Sequence, residues 1–130
     1  AINSANLESA VELIGEQTTK KLVHLYQSCA LFIFPSTVET FGNPLVEAMA
    51  CGTPITSSNT AAMPEILGDA ATYFDPLDVN DMANTIISIL ENENERQRLG
   101  TLALERAKLF SWQETASQTA SIIKSVASSG

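Results

Sequence analysis

Apolar and polar positions along this chain change period several times, and the changes mark out strands alternating with helices. Val11-Glu12-Leu13-Ile14 is a short strand candidate ending at Gly15. Thr18 or Thr19 can cap a helix running to about Ser28, with Leu22, Leu25, Tyr26 and Cys29 at helical spacing. Ala30 to Phe34 is continuously apolar, as expected for a buried parallel strand. A Gly turn at Gly42 leads into a helix over 44–51. Asn43 can cap it, Pro44 suits its first position, and Gly52 is its natural stop. Pro54 to Ser57 reads as a third strand, followed by a Ser/Asn/Thr loop over 58–63. Pro64 opens a single-turn helix, and Ala71 to Phe74 is a fourth, short strand closed by Asp75-Pro76.

From Asp78 the period is helical to the end. Asp78 or Asn80 caps a helix with Met82, Ile86, Ile89 and Leu90 on one face. A second helix covers about 93–109, broken near Gly100 or running through it. Ser111 caps a third, with Trp112, Ala116, Ile122, Ile123 and Val126 expected to point largely inward. The tail from Ala127 to Gly130 is expected to be loose. Strands alternating with helices across short loops predict an α/β fold. The expected form is a Rossmann-like, doubly wound parallel sheet of about four strands with a helical C-terminal region.

Composition narrows the function. The chain has 130 residues, one domain's worth, with 45% hydrophobic and 17% charged residues, which are globular values. Its net charge of −8 argues against nucleic acid and against an anionic membrane surface. No apolar run approaches the length of a membrane span, and no signal-peptide pattern opens the chain. Cys29 and Cys51 read as buried, reduced thiols. His24, the single histidine, reads as a surface residue, and no Cys/His spacing suits zinc.

The candidate chemistry sits between residues 35 and 54. A strand, a Gly-containing loop and a helix start make an anion site, because unpaired backbone N–H groups point out of the helix. Glu39 and Glu47 bracket that site. Carboxylates accept hydrogen bonds from hydroxyls, and sugars offer hydroxyls in pairs. An anion cradle between two hydroxyl acceptors fits a nucleotide sugar.

This run resembles the donor-binding motif of retaining GT-B glycosyltransferases, the group 1 family that includes glycogen and sucrose synthases. The matching residues are Pro35-Ser36, Glu39, Phe41-Gly42, Glu47 and Ala48-Met49-Ala50-Cys51-Gly52-Thr53-Pro54, with seven residues between the two Glu. Pro64-Glu65-Ile66-Leu67-Gly68-Asp69-Ala70-Ala71 and Phe110-Ser111-Trp112 resemble later family elements, and Leu13-Ile14-Gly15 and Leu25-Tyr26 earlier ones. The resemblance implies that Glu39 bonds the transferred sugar and Glu47 the ribose hydroxyls. It implies that backbone amides from Thr40 through Phe41, Gly42, Asn43 and Leu45 to Val46 hold the sugar and the diphosphate. Gly15-Glu16-Gln17 falls where the family passes the nucleobase. Glu65 reads as structural, and Trp112 as packing the last helix onto the domain.

The implied parent enzyme moves a sugar from a nucleotide diphosphate sugar to a hydroxyl acceptor with retention, without metal or other cofactor. Its location would be the cytoplasm, or the cytoplasmic face of a membrane through another domain. The chain departs from the family pattern upstream of Pro35. The Gly-Arg and Lys-Gly elements that neutralise the diphosphate do not occur, since Lys20 and Lys21 sit in the wrong element. Residues 1–130 therefore read as part of a C-terminal nucleotide-sugar-binding domain, without its first strands and without the N-terminal acceptor domain. Without those strands, residues 30–34 would present an apolar edge. Self-association is the favoured expectation, the other being that strand 11–14 moves in beside it. A non-catalytic nucleotide-sugar binder or a truncated remnant is the alternative function. A GT-B epimerase and a flavodoxin-like or Rossmann regulator fit less well, for lack of their motifs.

Overall fold

The computed structural model describes residues 2–128. In chain order its elements are α1 (Thr19–Ser28), β1 (Phe32–Phe34), α2 (Asn43–Ala50), β2 (Ile55–Ser58), α3 (Met63–Leu67), β3 (Ala71–Phe74), α4 (Val79–Leu90), α5 (Glu93–Ala107) and α6 (Trp112–Ala127). Two 3-10 turns, Asn3–Ala5 and Gly68–Ala70, complete them. The sheet has three parallel strands in the order β1-β2-β3. Phe32 pairs with Ile55, and Ile55 with Ala71. Parallel neighbours need crossovers, and α2 and α3 supply them.

The sequence explains where most helices begin. Thr18 accepts from Lys21 N at 3.4 Å, and Asp78 from Asn80 N and Asp81 N at 2.9 and 3.1 Å. Asn92 accepts from Glu95 N at 3.0 Å, and Ser111 from Glu114 N at 3.3 Å. Each side-chain oxygen satisfies a donor that the helix itself leaves unpaired.

The core lies where α2, α3 and α5 meet the sheet. Leu45, Ala48 and Met49 of α2, Ile55 of β2, Met63 and Leu67 of α3, and Ala103 of α5 are fully covered. The central strand β2 is buried along its whole length although three of its four residues carry hydroxyls. A buried hydroxyl is costly unless bonded. Thr56 donates to Thr72 O at 3.3 Å, Ser57 to Phe34 O at 3.3 Å and Ser58 to Ser36 O at 2.5 Å. These bonds tie β2 to both neighbours and to the loop that leaves β1.

α5 runs straight through Gly100. There it crosses the C-terminal turn of α2 so closely that a Cβ on Gly100 would stand 2.6 Å from Gly52 O. Neither backbone can yield without disturbing its helix. Gly100→Ala is therefore expected to lower stability by roughly 1–3 kcal/mol, the usual cost of overpacking. Urea unfolding checks it; a midpoint equal to wild type would show that the helices part freely.

The structure corrects several expectations. Residues 11–14 form no strand; Leu13 is 84% exposed and the described sheet has three strands. A strand of this length needs a neighbour for its N–H and C=O groups. Among the described residues the outer edge of β1 is unpaired, so 11–14 does not move in beside it. Position at that edge also explains why Phe32 and Phe34 are only half-buried and Ile33 is exposed. Asn43 does not cap α2: Gly42 holds the cap position at φ +78°, with Asn43 and Pro44 inside the first turn. The apolar face of α6 does not point inward. Trp112 is 83% exposed, and Ile122, Ile123 and Val126 are exposed with it. Helical spacing showed that this face is apolar, but not that an element of this chain covers it. Of the tail, Ala127 ends α6 and Ser128 caps it; Ser129 and Gly130 lie outside the described residues.

Candidate functional site

The site grows from the exit of β1. Its loop, residues 35–42, has no regular structure and is held by hydroxyls. Besides the Ser58 bond, Thr60 Oγ1 donates to Thr37 O at 3.4 Å. Ser36 Oγ bonds Val38 O at 3.0 Å and Glu39 Oε1 at 3.4 Å, which keeps the half-buried Glu39 against its own loop. The loop ends at Gly42, whose positive φ favours glycine. An added Cβ there would meet Leu45 Cδ1 at 3.0 Å.

α2 then presents its first turns. Asn43 and Glu47 are four apart and share one helix face with Val46 beside them. Leu45 points the other way and is fully buried. Its N–H already donates to Gly42 O at 2.9 Å. Pro44 has no N–H. Among the described residues, the N–H groups of Thr40, Phe41 and Gly42 reach no backbone acceptor.

A cleft of about 400 Å³ opens beside this helix start. Phe41, Asn43, Val46 and Glu47 line one wall. Leu109 to Trp112, with Glu114, Thr115 and Gln118, line the other. The rings of Phe41 and Phe110 meet edge to face, 5.8 Å between centroids, and join the two walls. Four expected residues thus converge here. Glu39, Thr40, Gly42 and Leu45 do not line the cleft, and neither does Gly15-Glu16-Gln17. That last segment is a bend with Gly15 at φ +58°; Gly15 and Glu16 are exposed, and the half-buried Gln17 is bonded back to Ile14 O.

The second wall was not foreseen. Ser111 and Glu114 mark the start of α6 in the sequence, but only tertiary structure sets that start opposite α2. Trp112 does not pack α6 onto the domain as its spacing suggests; it is exposed and borders the cleft.

The electrostatics are lopsided. Glu47 and Glu114 stand in the cleft, and among the described residues no Lys or Arg lines it. Arg106 donates to Glu65 O and Ile66 O at 2.5 and 2.6 Å, pinning the end of α3. Arg96 bonds Ile89 O and Leu90 O at the end of α4. Arg98 and Lys108 pair with Glu95 and Glu105 on their own helix. Positive potential in the cleft therefore comes from the helix starts. Burial, and next the Glu47 carboxylate, push the Tyr26 phenol up to about 12. Burial also raises both free thiols, Cys29 and Cys51.

A parallel sheet with crossover helices and a cleft at the helix start after β1 defines a Rossmann-like α/β domain, and the comparisons below make it one of the GT-B glycosyltransferase type. The family described as glycosyl transferases group 1 matches residues 1–106, and the chain belongs to that family. It is 35% identical over 117 residues to the O-antigen chain mannosyltransferase B of Escherichia coli, covering 90% of this chain and 31% of that protein. It is 37% identical over 107 residues to the MMP alpha-(1->4)-mannosyltransferase of Mycolicibacterium hassiacum, covering 79% and 26%. Its fold is similar to sucrose-phosphate synthase from Thermosynechococcus elongatus, with a TM-score of 0.90 at 28% identity over 99% of this chain and 33% of that one. It is also similar to Anabaena HepE in complex with UDP and glucose, with a TM-score of 0.86 at 26% identity over 95% and 34%. The chain spans about a third of these proteins' length or less. Among the described residues no helix is long and apolar enough to cross a membrane.

Proposed function

We propose that this chain is the nucleotide-sugar-binding part of a retaining glycosyltransferase that uses no metal. The observation that carries this reading is the convergence of Asn43, Val46, Glu47 and Phe41 on one cleft at the start of α2. Its volume of about 400 Å³ falls within the usual range for small-molecule sites. In this reading Glu39 accepts from hydroxyls of the transferred sugar, and Glu47 from those of the ribose. The free N–H groups of the 40–42 loop and the first turn of α2 take the diphosphate. Gly15-Glu16-Gln17 contributes backbone contacts to the base. The complex of HepE with UDP and glucose supports a donor of this kind. In this reading the acceptor is held by a further domain, and the cations that meet the diphosphate belong to the Gly-Arg and Lys-Gly elements of this domain's first strands. The reaction then runs in the cytoplasm or at the cytoplasmic face of a membrane, and the two free thiols suit such a reducing compartment.

A second reading is a non-catalytic nucleotide-sugar binder, favoured by a cleft lining that, among the described residues, carries two carboxylates and no Lys or Arg side chain. Calorimetric titration of the intact protein with UDP-, GDP- and ADP-sugars tests the first claim. Saturable binding of one class is expected, and no heat with any donor would overturn it. Transfer assays with the donor that binds then separate enzyme from binder.

A further inference from the structure

Tyr26 lies 21 residues before Glu47, on a different helix, yet its hydroxyl donates to Glu47 Oε2 at 3.3 Å. We propose that Tyr26 is a positioning residue that holds the Glu47 carboxylate for the ribose hydroxyls and so sets a preference for ribonucleotide over deoxyribonucleotide ligands. The inference rests on the reading of Glu47 given above. Glu47 alone is a long side chain on an exposed helix face, free to turn about three bonds. Tyr26 is not free. Its ring stands edge-on to Phe32, 5.3 Å between centroids. Its carbonyl accepts from Thr53 Oγ1 at 2.8 Å and from Cys29 Sγ at 3.5 Å. The buried Thr53 sits just past α2, so the Thr53 bond fixes the end of α1 to the end of α2.

A phenol held in this way offers its one proton in a fixed direction. It stays protonated at neutral pH, being pushed up to about 12. Tyr26 occupies one lone pair of Oε2, which leaves the other and both of those on Oε1 to accept from the ribose. Two vicinal ribose hydroxyls need a carboxylate in one orientation; a 2′-deoxyribose offers only one hydroxyl and gains less from that orientation.

The test titrates the intact protein with UDP, GDP and their 2′-deoxy counterparts. It compares wild type, Tyr26→Phe, Glu47→Gln and the double variant. Phenylalanine keeps the ring and its Phe32 contact, and an unchanged thermal midpoint checks folding. Wild type should favour the ribonucleotide. Tyr26→Phe should cut that preference roughly three- to tenfold, as for one lost hydrogen bond, with little change for the deoxynucleotide. In the Glu47→Gln background it should add nothing. Equal loss for both nucleotides, or an undiminished preference, overturns the role of Tyr26 and leaves that of Glu47 standing. A wild type without preference, or Glu47→Gln that retains it, overturns the Glu47 reading and this proposal with it.

Discussion

Purified and supplied with a nucleotide sugar and a hydroxyl acceptor, the 130-residue chain is expected to form no product above the uncatalysed rate. The argument is electrostatic. Sugar transfer of this type releases a nucleoside diphosphate, and charge builds on its leaving oxygen as the sugar bond breaks. Catalysis requires preorganised positive groups at that oxygen. The cleft offers the start of α2, worth roughly half a unit charge and confined to the first turn. Against it stand Glu47 and Glu114 in the cleft and a net charge of −8. Arg96, Arg98, Arg106 and Lys108 are committed to carbonyls or carboxylates elsewhere. Chromatographic assay for released nucleoside diphosphate and glycosylated product settles the matter. Turnover by the chain alone would mean that the helix starts suffice.

The fold was legible where local signals act alone. Thr18, Asp78 and Ser111 were each named as possible caps, and each binds an N–H of the helix it starts. β3 has the bounds expected for Ala71 to Phe74, and Gly52 ends α2 in a left-handed conformation. What was not legible is set by distant neighbours. Val11 to Ile14 has strand composition, but nothing in its own residues supplies a strand beside it. Ile122, Ile123 and Val126 make an apolar face by spacing, and spacing does not say what covers it. The site divides in the same way. Phe41, Asn43, Val46 and Glu47 lie within seven positions of one another, so one short run foretold one wall of the cleft. Phe110 and Glu114 come more than sixty residues later, and only the packing of α5 against α2 brings them across. Tyr26 was read as part of a helix face; its bond to Glu47 depends on where Thr53 anchors α1.

In the full-length protein, Glu39→Ala is expected to lower kcat by about ten- to a hundredfold, with a smaller change in donor affinity. Glu47→Ala should do the reverse, weakening donor binding by a similar factor while kcat changes less. Each substitution removes a charged hydrogen-bond acceptor, worth roughly 1.5–3 kcal/mol, and each 1.36 kcal/mol is tenfold. The split follows from position. Glu39 stands in the loop before the helix start, half-buried and bonded by Ser36, where little side-chain motion is left to absorb a change at the reacting sugar. Glu47 stands a full turn into α2 beside Tyr26, on the side assigned to the ribose, where nothing reacts. An interaction with a remote, unreacting group is equal in ground and transition states, so its loss raises KM and spares kcat. One with the reacting sugar strengthens as charge develops, so its loss appears in kcat. Steady-state kinetics with the donor varied, together with direct titration, read the two effects separately. Glu39→Ala acting only on KM while Glu47→Ala acts on kcat would place the reacting sugar at the α2 carboxylate and the ribose at the loop.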